Sequence, residues 1–330
     1  MSTRRAGRLL GGVICSVLLM AAGIRAAGAA QAGADEQELA GQILRATGVK
    51  GGLVVHLGCG DGRLTAALRP SDSYLVHGLD ADPANVEKAR AYIRSLGLYG
   101  KVSVERWTKD FLPYADNLVN LIVVERPGRV PREELMRVLA PGGVAYVREG
   151  DGWSKVVKPR PEQMDEWTHA LHGPDNNAVA DDSLVGPPRY IQWVGGPKWA
   201  RSHDHLASVS VVVSSGGRIF YIVDEGPIAS VAYPPKWFLV ARDAFNGVLL
   251  WERSIENWEA HLRGFRSGPP ELACRFVAAG ERVYVALNYG DPVTVLDAAT
   301  GETVTKLAGI DGARELLWEG ETLFVLADDM

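Results

Sequence analysis

The sequence predicts an α/β domain over residues 36–150 and an all-β region over residues 165–330. Up to about residue 150, short apolar runs alternate with helical patterns, which is typical of parallel strands joined by helical crossovers. Beyond that point the helical periodicity stops, and short apolar runs recur between turn residues. The chain has 330 residues, of which 47% are hydrophobic, and this is enough for two buried cores.

The first 30 residues have the pattern of a secretory signal peptide. Arg4, Arg5 and Arg8 precede an apolar run over residues 9–23, and small residues follow at 27–30. The apolar run is shorter than the roughly 20 residues that a membrane-spanning helix needs, and an uncleaved membrane anchor remains the alternative. We therefore expect a secreted or periplasmic protein that meets the membrane only through its export signal.

Strands and helices are expected to alternate through the α/β domain. The expected strands cover residues 53–57, 74–79, 102–106, 118–124 and 144–147. The expected helices cover residues 35–47, 63–68, 83–96 and 132–139. The fourth strand is apolar on both faces, as expected of a strand buried in a parallel sheet.

A glycine-rich turn directly follows the first strand. Gly58, Gly60 and Gly62 alternate with Cys59 and Asp61, and a helical segment begins at once. Glycine is needed where the backbone takes a positive φ or comes very close to a ligand. Ligands of parallel sheets bind at the carboxyl ends of the strands, so the turn predicts a ligand site at this edge.

Four segments of the α/β domain follow one another in a known order. Residues 57–62 read Leu-Gly-Cys-Gly-Asp-Gly, Asp80 ends the second strand, Asp110-Phe111 precede the fourth strand, and residues 137–143 read Arg-Val-Leu-Ala-Pro-Gly-Gly. Together they resemble the class I S-adenosylmethionine-dependent methyltransferases over about residues 45–148. In that family these segments are the glycine-rich loop, the acid that binds the ribose hydroxyls, the adenine-recognition segment and a helix-to-strand signature.

The resemblance implies a Rossmann-like methyltransferase domain with S-adenosylmethionine as its cofactor. It implies no catalytic residue and no metal ligand. The implied cofactor-binding residues are Gly58, Cys59, Gly60, Gly62, Asp80, Ala81, Asp110 and Phe111.

Several alternatives stay open at this point. His56 stands where these enzymes often have an acid that helps to hold the methionine end of the cofactor, and Glu125 could be a base or a solvated loop carboxylate. Asp80 and Asp110 could merely cap helices or turns. A nicotinamide-binding domain would prefer G-x-G-x-x-G, which is absent here. The expected function is methyl transfer to an unknown acceptor, and the alternative is a non-catalytic envelope binding or scaffold protein with a degenerate methyltransferase fold.

An internal repeat organises the all-β region. Residues 241–248 align with residues 295–302, and residues 280–285 align with residues 320–325. A four-strand repeat of about 40 residues is the size of a propeller blade. Two blades and half of a third fit before Met330, whereas propellers close with about four to eight, so we expect an incomplete propeller and a chain that is a fragment of a longer protein.

Residues 241–251 fit the pattern A-x-D-x-x-x-G-x-x-x-W. This pattern resembles the pyrroloquinoline-quinone (PQQ)-type β-propeller repeats, and the resemblance covers residues 165–330. It implies that Trp251 packs between neighbouring blades, and the second copy keeps Asp297 and Gly301 but has Thr305 in place of the tryptophan. The usual lead-in to such a propeller is matched by Trp167, Gly173, Asn177 and residues 190–193. Bound PQQ is possible, but no ligand set for it is identifiable.

The composition argues against several kinds of binding partner. The net charge of -5 argues against a nucleic-acid-binding protein, and the three cysteines have no metal-ligand spacing. No acidic cluster with metal-ligand spacing accompanies the histidines, so we expect polar loop positions and no metal site. These histidines are His169, His172, His203 and His205. The expected partners are an unknown methyl acceptor or an envelope protein or glycan.

Overall fold

The computed structural model describes residues 34–126, 130–184, 186, 191–198, 208–229, 233–256, 258, 270–288 and 290–327. The predicted signal peptide at 1–30 and the pair His203 and His205 lie outside these residues. Within the described ranges, no helix combines the length and the apolar character that crossing a membrane requires.

The α/β part is built on a six-stranded sheet with the order β3-β2-β1-β4-β5-β6. The strands are β1 Gly52–Leu57, β2 Tyr74–Asp80, β3 Val102–Arg106, β4 Val119–Val124, β5 Leu139–Glu149 and β6 Gly152–Val157. The first five are parallel, as predicted, whereas β6 pairs antiparallel with β5 through a tight turn. The sheet therefore continues to Val157, beyond the predicted end of the domain at residue 150.

Helices cover both faces of this sheet. They are α1 over residues 34–47, α2 Arg63–Ala67, α3 Pro83–Ser95 and α4 Arg132–Val138. The carboxylate of Asp82 accepts from Ala84 N–H at 2.8 Å, and Pro83 occupies the first helical position, so both start signals of α3 are used. Val86, Ala89 and Ile93 of α3 are buried against one face of the sheet, and each large aliphatic side chain buried there contributes about 1.5 to 3 kcal/mol.

The rest of the described chain forms antiparallel sheets. Two sheets have four strands each, and a further hairpin follows. The strands are β7 Val209–Ser215, β8 Arg218–Asp224, β9 Trp237–Asp243, β10 Leu249–Ile255, β11 Phe276–Ala279, β12 Arg282–Val285, β13 Thr294–Asp297, β14 Thr303–Lys306, β15 Ala313–Glu319 and β16 Thr322–Ala327. The sequence predicts an all-β region here, and the antiparallel sheets are consistent with a β-rich region.

The repeated Asp-to-Gly turns have the same geometry in both four-stranded sheets. Oδ1 of Asp243 accepts from two backbone N–H groups at 2.9 Å, and Oδ1 of Asp297 accepts from the equivalent pair at 3.0 Å. Gly247 and Gly301 both have φ of 72°. Trp251 donates to the backbone oxygen of Ala298 at 3.0 Å, so its ring packs against the turn of the next sheet.

The segment before β7 joins three sheets. The backbone of Trp167 bonds with Ser214 of β7, and the backbone oxygen of Thr168 accepts from Ala278 N–H of β11 at 3.0 Å. Nε2 of His169 accepts from Trp318 N–H of β15 at 2.9 Å, and burial lowers the pKa of this imidazole. His169 thus has a structural position between the segment and the third sheet.

The first antiparallel sheet also contacts the amino edge of the α/β sheet. The Asn120 amide, at the start of β4, donates to Asp243 at 2.6 Å and accepts from Asn246 at 2.7 Å. Ser73, just before β2, donates to the backbone oxygen of Leu250 at 2.6 Å. The two parts of the chain are therefore joined at the edge opposite the glycine turn.

Candidate cofactor site

A pocket of about 530 Å³ opens at the carboxyl edge of the parallel sheet. Apolar walls with a few polar groups are typical of sites for small molecules. The lining residues come from the ends of β1 to β5, the loops after them and α4. They are Leu57, Gly58, Leu79, Asp80, Ala81, Trp107, Thr108, Lys109, Leu112, Val124, Arg126, Val130, Leu135 and Val147.

The three glycines of the turn all have positive φ, at 77° for Gly58, 55° for Gly60 and 82° for Gly62. Their surroundings differ. A Cβ on Gly58 would lie 3.2 Å from Cβ of Arg126, and a Cβ on Gly62 would lie 2.7 Å from Cβ of Ala89 in α3. Nothing lies within 4 Å of a Cβ on Gly60. The turn therefore needs Gly58 and Gly62 for close packing, and all three glycines for their backbone conformation.

Asp80 both lines the pocket and holds the turn. Its side chain is largely buried, with Oδ2 accepting from Gly60 N–H at 2.9 Å and Oδ1 accepting from Asp82 N–H at 2.9 Å. Asn85 donates weakly to both oxygens, at 3.3 and 3.4 Å. A carboxylate has about four acceptor sites, and two backbone N–H groups and the two weak Asn85 contacts occupy them, so a ligand hydroxyl would bind Asp80 in place of Asn85.

Cys59 supports the turn from beneath. Its side chain is buried and contacts the Gly78 backbone of β2. Burial, followed by the charge of Asp80, raises the pKa of the thiol to about 12. The thiol is therefore neutral at physiological pH and is not a nucleophile.

The predicted site residues thus fall into three groups. Gly58, Asp80 and Ala81 line the pocket. The other members of the turn support its backbone. Asp110 and Phe111 are exposed and do not line the pocket, but the Phe111 backbone oxygen accepts from Trp107 Nε1 at 2.5 Å.

Most lining residues were not among the predicted site residues, and three of these carry polar or aromatic side chains close to the Asp80 end of the pocket or the glycine turn: Trp107, Lys109 and Arg126. The backbone N–H of Trp107 donates to the backbone oxygen of Asp80 at 2.9 Å, which places the indole beside the carboxylate. Nζ of Lys109 lies 5.1 Å from the Trp107 ring centroid and 4.8 Å from that of Phe111. Trp107 directly follows the predicted third strand, and Arg126 closely follows the fourth. Residues just after parallel strands lie at the ligand-binding edge of the sheet, so these positions could have identified both residues from the sequence.

The loop that carries Leu112 is fixed by an ion pair on α4. Oε1 of Glu134 accepts from Leu112 N–H at 2.6 Å, and Arg137 donates to the backbone oxygen of Tyr114 at 3.0 Å. The two side chains also bond with each other at 2.7 Å, and the hydrogen bond from Arg137 lowers the pKa of Glu134. Arg137 therefore positions one wall of the pocket.

Residues 54–143 match the family model described as a methyltransferase domain. This match contains the glycine turn, Asp80 and most of the pocket. No curated protein matches the chain in sequence.

Solved structures match the same part of the chain. One is a candidate S-adenosyl-L-methionine-dependent methyltransferase from Methanococcus maripaludis, with 24% identity over 34% of this chain and 53% of that chain, at a TM-score of 0.31. Another is the geranyl diphosphate C-methyltransferase of Streptomyces coelicolor, solved with Mg²⁺, geranyl diphosphate and S-adenosyl-L-homocysteine. It has 20% identity over 34% of this chain and 45% of that chain, at a TM-score of 0.31.

The chain spans about half the length of the solved structures that it matches. The family model covers all of the described lining residues except Val147. The match therefore supports a methyltransferase domain over residues 54–143, with S-adenosylmethionine as its cofactor.

Proposed function

We propose that the α/β part of the chain binds S-adenosylmethionine at its carboxyl edge and transfers the methyl group to an acceptor. The observation that carries this proposal is the pocket of about 530 Å³, which is lined by Gly58 and Asp80 and lies within the matched segment. The positive φ and the tight packing at Gly58 disfavour a larger side chain there, and the Asp80 carboxylate can accept from a ligand in place of its weak contacts with Asn85. The residues present therefore fit this cofactor.

Each part of the pocket has a role in this proposal. Asp80 accepts from the ribose hydroxyls, the glycine turn packs against the amino-acid end, and Trp107 and Leu112 give an apolar surface for adenine. When bound, the cofactor supplies an electrophilic methyl group on a sulfonium. The only ionisable side chains among the described lining residues are those of Asp80, Lys109 and Arg126. We therefore propose that the protein accelerates transfer mainly by proximity and orientation.

Calorimetry on the whole chain tests the proposal. We expect S-adenosylmethionine to bind, and Asp80→Ala to weaken binding at least tenfold. Asp80→Asn keeps one acceptor oxygen and should weaken cofactor binding less than Asp80→Ala does. Comparing the two variants separates the loss of ligand contacts from a disturbance of the glycine turn. Asp151→Ala, an exposed change in the turn between β5 and β6, is the matched control. Absence of binding at millimolar cofactor would refute the proposal.

A second candidate function belongs to the antiparallel sheets. We propose that residues 165–330 are PQQ-type propeller repeats that bind an envelope protein or glycan, with the methyltransferase fold serving as a scaffold. The observation that favours it is the repeated contact of a tryptophan with the next Asp-to-Gly turn, by Trp193 at Gly247 and by Trp251 at Gly301. Retention of the chain on immobilised envelope extracts, together with no cofactor binding, would favour this function over methyl transfer.

Export is part of both proposals and has its own test. The basic start, the apolar run and the small residues within positions 1–30 support a secreted or periplasmic location. Fusion of residues 1–60 to a reporter that is active only outside the cytoplasm should give activity. Loss of that activity when the apolar run is interrupted by charged residues would support export, and an inactive fusion would contradict it.

A further inference from the structure

One half of the pocket has no role in the proposed binding of the cofactor. Asp80 and Trp107, which are assigned to the adenosine part, follow β2 and β3. The strand order β3-β2-β1-β4-β5 puts those strands on one side of the glycine turn, and β4 and β5 on the other side. We call the half formed by β4, β5 and α4 the acceptor half. Its described lining residues are Val124, Arg126, Val130, Leu135 and Val147.

Arg126 stands in the acceptor half next to the glycine turn. A Cβ on Gly58 would lie 3.2 Å from Cβ of Arg126. The backbone N–H of Glu125 donates to the backbone oxygen of Leu57 at 3.2 Å, which holds this segment beside β1. The Arg126 side chain lines the pocket and makes no hydrogen bond or ion pair with any described residue. Its five N–H donors are therefore open to a ligand.

The acceptor half contains no group that could remove a proton. Apart from Arg126, its described lining is aliphatic, and residues 127–129, which lie outside the described residues, include no acid and no histidine. Glu125 is not in the lining, and its carboxylate contacts Nε2 of the buried His56 at 3.5 Å. That contact, followed by the charge of Arg126, lowers the pKa of Glu125. Glu125 is therefore a weak base that is turned away from the pocket.

Such a lining favours an acceptor that is already a nucleophile at neutral pH. A carboxyl group is ionised at this pH, whereas amines, phenols and most thiols carry a proton that a base must remove. The planar guanidinium of an arginine binds a carboxylate through two parallel N–H donors. The acceptor half offers one arginine and otherwise apolar walls. It therefore matches a carboxylate that is attached to an apolar body.

We propose that the methyl acceptor is an apolar carboxylic acid in its ionised form, and that Arg126 binds its carboxylate. The inference rests on the proposed function and adds the class of acceptor. One carboxylate oxygen forms a bond to the methyl carbon, the bond from that carbon to sulfur breaks, and its electron pair stays on the sulfur. The products are a methyl ester and S-adenosylhomocysteine, and no proton is released. A negative and a positive charge cancel in this step, which apolar surroundings favour.

Decanoate is the probe for this site, and decanamide is its uncharged counterpart. In calorimetry on the whole chain saturated with S-adenosylhomocysteine, decanoate should bind, and decanamide should bind at least tenfold more weakly. Arg126→Gln should weaken decanoate about tenfold, because charged hydrogen bonds are lost. The affinities of this variant for decanamide and for S-adenosylhomocysteine should stay within about twofold of the parent values. Arg132→Gln, an exposed change at the start of α4, is the matched control and should alter none of these affinities.

The product gives a second readout. With S-adenosylmethionine labelled in its methyl group, decanoate should yield methyl decanoate, from which alkali releases the label as methanol. Arg126→Gln should lower kcat/KM for decanoate about tenfold, and Arg132→Gln should not.

The outcomes distinguish this inference from the function beneath it. If S-adenosylhomocysteine binds but decanoate does not bind the complex, or binds no better than decanamide, the inference is wrong while the proposed function stands. The same conclusion follows if bound decanoate gives no ester. It also follows if Arg126→Gln weakens S-adenosylhomocysteine as much as decanoate, because Arg126 would then bind the cofactor. If S-adenosylhomocysteine does not bind the unsubstituted chain, both are wrong.

Discussion

Replacing Gly62 by alanine should destabilise the α/β part of the chain far more than the same replacement at Gly60. Both glycines have positive φ, of 82° and 55°, so each alanine is held in a left-handed conformation that costs about 1 to 2 kcal/mol. At Gly60 that is the whole cost, because nothing lies within 4 Å of the new Cβ. At Gly62 the Cβ would lie 2.7 Å from Cβ and 2.9 Å from Cα of Ala89, which is fully buried in α3.

The helix backbone cannot rotate away as a side chain could, so α3 must shift. Overpacking of this kind costs about 1 to 3 kcal/mol, which brings Gly62→Ala to a total of about 2 to 5 kcal/mol. Urea denaturation followed by circular dichroism compares both variants with the unsubstituted chain. Each 1 M decrease in the urea midpoint corresponds to a loss of about 1 to 3 kcal/mol in the free energy of unfolding. Equal midpoints for the two variants would refute the close packing of the turn against α3.

Two further substitutions test the wall of the pocket and the contact between the antiparallel sheets. Arg137→Ala should weaken cofactor binding by about tenfold, since the loop with Leu112 loses its anchor, and should lower stability at neutral pH. The pKa of Glu134 is depressed in the folded state, so this stability is present above the ordinary carboxyl pKa, and the difference between variant and parent should disappear as the pH falls through the depressed value. Trp251→Ala should destabilise the antiparallel sheets by about 3 to 5 kcal/mol, because the buried ring and its bond to Ala298 are lost, whereas Trp153→Ala, at the edge strand β6, should cost less.

The order of elements in the α/β part could be predicted because its central strands are rich in apolar residues and end at polar or turn residues, with helical patterns between them. Gly58 and Asp80 were predicted for the same reason, since both mark a strand end. The strand β6 was not predicted. Only one face of this edge strand is covered, and its burial pattern is largely exposed, so it lacks the apolar run that identifies a central strand.

The rest of the site depends on contacts between residues that are distant in sequence. Trp107 lines the pocket because its backbone bonds to Asp80, and no local pattern shows that bond. Asp110 and Phe111 follow the expected motif, yet the loop turns them outward and presents Leu112, whose N–H bonds to Glu134 of α4. A motif gives the position of a loop in the chain, and the packing of that loop on a helix decides which of its side chains face the ligand.

The pocket and the contact with the antiparallel sheets lie at opposite ends of the same strand. Asn120, near the start of β4, bonds to Asp243, and Val124, at its end, lines the pocket. At about 3.3 Å per residue these positions are roughly 13 Å apart. All described lining residues fall between Leu57 and Val147, so the antiparallel sheets act on the pocket only indirectly, through contacts at the amino edge such as those of Asn120 in β4 and of Ser73 before β2. β4 is buried between β1 and β5 and is held by parallel pairing on both sides, which leaves it little freedom to transmit a change. Cofactor affinity measured on the whole chain should therefore report the α/β part alone, and Trp251→Ala should leave it unchanged even where it destabilises the sheets.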